Sequence, residues 1–207
     1  MHKSIYLLIL VFSWGFGLSV SAAPSAGHKG MVSSAHPFAT EAGVEILRQG
    51  GNAADAAAAV AFVLAVVEPY SSGIGGGGFA LLKHKDALRF LDFREVAPKQ
   101  ATRDMYIRNG KADTSISRDG VLSVAVPGAV AGYLELQEKY GVLSRQDVLR
   151  KAIEFAESGF AVTTQYQNYA IKRLEQLRKD EEISRIFLVK SPEGNYEAPS
   201  IGHIVKQ

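Results

Sequence analysis

The sequence predicts an α+β fold, on three observations. Every residue from Ala56 to Val67 is apolar, which leaves that helix no solvent face and places it at the centre of the molecule. Phe79–Lys83 and Leu88–Arg94 are β-prone runs either side of a short turn at His84–Ala87, the pattern of a hairpin. Beyond them, amphipathic runs bounded by helix start and stop residues recur to about Lys179, with only short extended pieces between.

Composition narrows the function. The chain has 207 residues, and 23 basic against 21 acidic side chains leave a net charge of +2, too balanced for a nucleic-acid or anionic-membrane surface. No cysteine is present, which removes disulfides, thiolate nucleophiles and cysteine-ligated metals. His2, His28, His36, His84 and His203 show no HExxH or paired spacing, so no metal site is expected. A bilayer needs about 20 apolar residues; the Ala53–Val67 run is shorter and carries Asp55 in its first turn, as a core helix does.

In chain order, residues 1–22 read as a secretory leader. His2 and Lys3 begin it, Ile5–Val20 form its apolar centre, and Val20-Ser21-Ala22 supply a cleavage site after Ala22. An uncleaved anchor is the rival reading, and export to a bacterial periplasm or medium is expected. Gly27–Gly30 is a flexible entry, and Gly30–Ala35 reads as a strand. Pro37 opens a helix that buries Phe38, Ala42 and Ile46 beside Ala39, Gly43 and Leu47, and Gly50 and Gly51 end it. Asn52 caps the central helix, Asp55 meets its dipole, and Pro69 closes it.

Gly73-Ile74-Gly75-Gly76-Gly77-Gly78 formally matches the dinucleotide fingerprint G-x-G-x-x-G. That fingerprint needs a strand before it and a helix after it, and here the order is reversed, so no cofactor is expected. The glycines permit a tight helix-to-strand turn or a close backbone approach. Alternation then puts Leu88, Phe90, Asp92 and Arg94 on one strand face. The plain reading of Asp92 and Arg94 is a structural ion pair. The functional one is a guanidinium fork gripping a carboxylate by two parallel hydrogen bonds.

Pro98–Asn109 reads as a connection with a helical patch at Asp104–Ile107, Gly110–Gly120 as a surface loop, and Val121–Val126 as a strand. Pro127 begins a helix carrying Val130, Tyr133, Leu134 and Leu136 that stops at Gly141, with Gly128 and Gly132 allowing close packing. Ser144 and Asp147 cap a helix burying Val148, Leu149, Ala152, Ile153 and Ala156, stopped at Gly159. A helix over Gln165–Lys179, a strand at Ile186–Val189, a turn at Ser191–Gly194 and an extended piece at Ile201–Val205 complete the chain, with no repeat or second-domain linker.

Five ordered motifs, GGNAADAAAAV, GIGGGGF, LDFREVAP, ATRDMY and VAVPGAVAGY, carry a family resemblance. From about Gly30 to its end the chain resembles the N-terminal part of the large subunit of the gamma-glutamyltransferase family (gamma-glutamyl transpeptidase, or glutathione hydrolase). The resemblance implies the N-terminal-nucleophile hydrolase fold, an αββα sandwich that residues 23–207 build only in part. It implies acyl transfer from glutathione or another gamma-glutamyl donor to an amino acid, a peptide or water. The nucleophile implied is a threonine whose own freed α-amine is the base, on a small subunit cut from the same precursor. By position in the DFRE motif it assigns Arg94 to the α-carboxylate of the gamma-glutamyl group, with Asp92 and Glu95 in support.

No catalytic residue is expected in this chain. Thr163-Thr164 sits at a helix start, where threonine is a cap. Ala23 has no nucleophilic side chain, and no G-x-S-x-G occurs. The resemblance therefore places the reacting threonine after Gln207 and implies a chain that is inert alone and, with uncovered sheet edges, poorly soluble. Two alternatives remain: a non-catalytic amino-acid-binding protein, and a same-fold acylase for another amide, such as a beta-lactam side chain or poly-gamma-glutamate.

Overall fold

Helix α1 (Pro37–Arg48) and helix α2 (Ala53–Val67) form as their sequences predict. The structure is a computed structural model that describes residues 26–207; the leader reading over residues 1–22 lies outside the described residues. The N-cap of α1 is His36, whose Nδ1 accepts the Phe38 N–H at 3.3 Å. At its other end the Gly51 and Gly50 N–H groups donate to the Ile46 and Leu47 carbonyls, satisfying two otherwise orphaned acceptors. Asn52 and Asp55 make a reciprocal capping box at the start of α2: Asn52 Oδ1 accepts the Ala54 N–H at 2.8 Å, and Asp55 Oδ2 accepts the Asn52 N–H at 3.0 Å.

Helix α2 is the hub. Helix α1, helix α3 (Ala129–Tyr140) and helix α4 (Arg145–Ser158) all pack on it. Ser144 caps α4 by accepting the Asp147 N–H, and Phe155 on α4 stacks on Phe38 of α1 at 4.9 Å. Contrary to the expectation of burial on every side, Ala57 is exposed and Ala61 and Ala65 are half-buried. These positions lie one helical turn apart and form a strip that the described residues cover only in part. Ile153, expected in the core, is exposed on α4.

Helix α5 (Thr164–Leu177) and the short α6 (Glu181–Phe187) follow. The strands form four separate two-stranded antiparallel ribbons among the described residues. β1 (Phe79–His84) pairs with β2 (Ala87–Asp92) in the register Phe79↔Asp92, Leu81↔Phe90, Lys83↔Leu88. β3 (Ile107–Arg108) pairs with β4 (Lys111–Ala112). β5 (Phe160–Ala161) pairs with β8 (Ile204–Val205), and β6 (Val189–Lys190) with β7 (Tyr196–Glu197). Helices and small ribbons together make the fold α+β. Residues 32–207 form one unit by their contacts.

Several extended readings are corrected. No residue from Gly30 to Ala35 is in a strand. Val121–Ser123 is a 3₁₀ turn, and of the run to Val126 only Val126 pairs, in a single bridge to Val96. Ile186 belongs to α6, which Asp180 caps by accepting the Ile183 N–H at 3.0 Å. Of these runs only Val126 and Val189 find a partner, at Val96 and in β7; the other apolar, β-prone residues lack a neighbouring strand to take their backbone hydrogen bonds. Conversely the helical patch expected at Asp104–Ile107 is a turn leading into β3, and β4 arises in the stretch read as a surface loop, because Asn109 (φ 52) and Gly110 (φ 73) adopt the left-handed pair that closes a tight hairpin.

Candidate functional site

β2 ends two residues before the predicted Arg94, and Asp92 holds the residues beyond it in a local turn. Its Oδ1 accepts the Arg94 backbone N–H at 3.0 Å, closing a local side-chain turn. The anticipated Asp92–Arg94 ion pair is therefore not formed: the aspartate holds the arginine by its main chain.

Phe93, Arg94 and Glu95 run through a cradle made from two distant glycine segments. Phe93 and Gly78 exchange backbone hydrogen bonds at 3.1 and 3.4 Å. The Phe93 ring lies flush on α3 at Gly132 and meets the Tyr133 ring edge-on at 5.5 Å, so a side chain at residue 132 would collide with it. Gly128 backs the Phe93 carbonyl and Gly77 backs Glu95 equally closely. The Gly76 carbonyl accepts the Gly128 and Ala129 N–H groups at 3.0 and 2.9 Å, and Val96 and Val126 bond in both directions at 3.1 and 2.9 Å. The glycine turn thus serves close backbone approach at Gly77 and Gly78, while Gly75 and Gly76 face open space.

From this clamp the Arg94 side chain projects to the surface, with its Cζ 6.0 Å from the Phe79 ring centroid. Phe79 is 53% exposed and stacks on Phe90, itself 64% exposed, at 5.6 Å. Among the described residues no carboxylate forms an ion pair with Arg94, and Glu95 is half-buried against the glycine turn. A guanidinium held at its backbone, with no side-chain donor committed among the described residues, is suited to holding a carboxylate. A cavity of about 560 Å³ lined by Tyr70, Tyr166, Tyr169 and Phe187 lies elsewhere and shares no lining residue with the hairpin.

Thr163 accepts the Tyr166 N–H at 3.2 Å as the N-cap of α5, the role its sequence context indicates. The six glycine-rich residues follow a helix and precede a strand, which is not the dinucleotide-binding arrangement. Among the described residues no group of three or more His, Cys, Asp or Glu is placed to hold a metal, and no helix is long and apolar enough to cross a membrane. Sequence reasoning missed Phe79, whose partnership with Arg94 depends on strand register. It also missed the hydrogen bond from the Gly128 N–H to the Gly76 carbonyl, which joins two motifs that lie far apart in the chain.

The family described as gamma-glutamyltranspeptidase matches residues 39–207. The glutathione hydrolase proenzyme of Pseudomonas sp. (strain A14) is 45% identical over 146 residues, covering 70% of this chain and 25% of the relative. The acylase ACY 1 proenzyme of Pseudomonas sp. (strain V22) is 39% identical over 173 residues, covering 80% of this chain and 31% of the relative. The crystal structure of Helicobacter pylori gamma-glutamyltranspeptidase superposes with a TM-score of 0.82 at 35% identity, over 89% of this chain and 52% of that one. The chain therefore spans a quarter to a third of these curated relatives.

Proposed function

The chain belongs to the gamma-glutamyltranspeptidase family, and on that premise we propose that it takes part in gamma-glutamyl hydrolysis and transfer, with Arg94 holding the α-carboxylate of the donor. The donor is glutathione or a related gamma-glutamyl compound, and the acyl group passes to water or to an amino acid or peptide amine. The small subunit of the same precursor supplies the threonine nucleophile, and the work is done in the periplasm or outside the cell. The observation that supports this reading most is the Arg94 guanidinium: surface-facing, fixed at its backbone, and without a carboxylate partner among the described residues.

The chemistry asked of Arg94 is binding and registration. Two parallel N–H···O bonds to an α-carboxylate orient the amino acid about its Cα, which fixes where the gamma carbonyl lies relative to a nucleophile. Thr163 and Thr164 take no part, being cap and first turn of α5.

Calorimetric titration of the full chain with L-glutamate tests the clamp. Binding is expected, with loss of at least about tenfold in Arg94→Ala, since a charge-assisted pair contributes roughly 1.5–3 kcal/mol. The chain alone is expected to turn over no gamma-glutamyl anilide. The likeness to an acylase favours a second reading, an amide substrate of another kind. Glutamate α-amide separates the two: a carboxylate clamp rejects it, whereas a site for a substrate lacking that carboxylate does not distinguish it from glutamate.

A further inference from the structure

We propose that Phe79 is a positioning residue for Arg94, its ring a shelf that holds the guanidinium in place before any carboxylate arrives. This rests on the clamp reading of Arg94 given above.

The first ground is register. Phe79 stands opposite Asp92 in the last pair of the β1–β2 hairpin. Asp92 fixes the Arg94 main chain by accepting its N–H, while the Phe79 ring lies 6.0 Å below the guanidinium carbon, at the limit of cation–π attraction. One cross-strand pair thus secures both the root and the head of the same arginine.

The second ground is donor accounting. An arginine steadied by a carboxylate spends N–H donors on it, and a ligand must then compete for them. A ring face attracts the cation without accepting any of its five N–H donors, so the fork stays available for two bonds to a ligand. Steadying Arg94 by a ring and not by Asp92 or Glu95 is what a binding arginine needs and what a structural one does not.

The third ground is exposure. Phe79 is 53% and Phe90 64% exposed, yet the two rings stack at 5.6 Å with an interplanar angle of 21°. Burial does not account for two stacked phenylalanines on an open face. Phe90 instead buttresses the Phe79 ring by stacking on it, and the Phe79 ring carries the arginine.

Two measurements on the full chain test this. Ring current moves protons held over an aromatic face upfield, so the Arg94 δ and ε protons are expected upfield of those of a solvated arginine. Phe79→Leu returns them to ordinary positions and Phe79→Tyr keeps them shifted. In titrations with L-glutamate, Phe79→Leu weakens binding by about two- to fivefold, the equivalent of a partly exposed cation–π contact, and Phe79→Tyr restores it. Leu81→Ala, on the same strand face, leaves both readings unchanged and controls for hairpin integrity. Unshifted Arg94 protons in the unaltered chain overturn the proposal, as does a Phe79→Leu chain that keeps the shift. If Arg94→Ala abolishes glutamate binding while Phe79→Leu binds as tightly as the unaltered chain, the clamp stands and the shelf is refuted. If the unaltered chain binds no glutamate, the clamp fails and the proton shifts alone decide whether Phe79 holds Arg94.

Discussion

The Asp55 carboxylate reaches well past its own helix. Fully buried, it accepts the Val142 N–H at 2.9 Å, the Gln137 side-chain amide at 3.2 Å and the Leu143 N–H at 3.4 Å, besides closing the capping box with Asn52. Asp55→Ala orphans these donors in a dry interior, and a loss of roughly 3 kcal/mol or more is expected in urea denaturation, with Asp55→Asn costing less because it keeps one acceptor oxygen. The capping half of this role is legible in the spacing Asn52-x-x-Asp55. The tertiary half is not, because its donors lie 82 to 88 residues away. His36 adds a pH prediction. It accepts from Phe38 through Nδ1, so its proton sits on Nε2, and burial lowers its pKa while the nearby Glu68 carboxylate pulls the other way. The folded chain therefore takes up a proton less readily than the unfolded one. The His36 contribution is complete above the unfolded value of about 6.5 and declines as pH falls from there toward the lowered folded value. Thermal melts between pH 7.5 and 5 are expected to show that decline, and His36→Asn, which caps without titrating, flattens it.

Elements were legible wherever sequence carried its own punctuation. Pro37, the Asn52 cap, Ser144 and Gly159 bound helices that the structure reproduces, and the β1–β2 hairpin follows from its two apolar runs. Strands that depended on a remote partner were not legible: Val121–Val126 looks the part yet finds only Val96. The site divides the same way. Arg94 stood out by motif, but the fit of α3 against Phe93 depends on a contact between segments far apart in the chain. Gly132→Ala drives a methyl group into the Phe93 ring. A loss of about 1–3 kcal/mol by thermal melting is expected, with displaced Arg94 resonances. The outer face of the hairpin, with Leu81 and Leu88 as well as the two phenylalanines exposed, invites association. Leu81→Thr with Leu88→Thr is expected to raise the concentration at which the chain stays monodisperse in light scattering.

Across the whole molecule, the far end of the sequence returns to the hub. β8 pairs with β5, the Gln207 N–H donates to the Ala156 carbonyl at 3.2 Å, and the Gln207 side-chain amide reaches the Val66 carbonyl at 2.7 Å. Deleting residues 199–207 removes the buried Val205 and uncovers Phe160 and Val162. A drop of at least about 2 kcal/mol is expected from the first alone, read as a lower melting temperature. Unchanged melting would place the C-terminal segment outside the cooperative unit. The α+β class was legible from periodicity, and the family from its ordered motifs. The strip at Ala57, Ala61 and Ala65 was not, since an all-apolar helix gives no sign of which side its own chain covers least. The long reach of Asp55 also bears on biosynthesis. As the polypeptide leaves the ribosome, the hub helix emerges with only its own Asn52 cap on Asp55, and the amides that hold that side chain in the folded protein are translated more than eighty codons later. Until then a greasy, half-anchored rod waits in the open, and that interval is where a nascent chain of this kind most needs a chaperone.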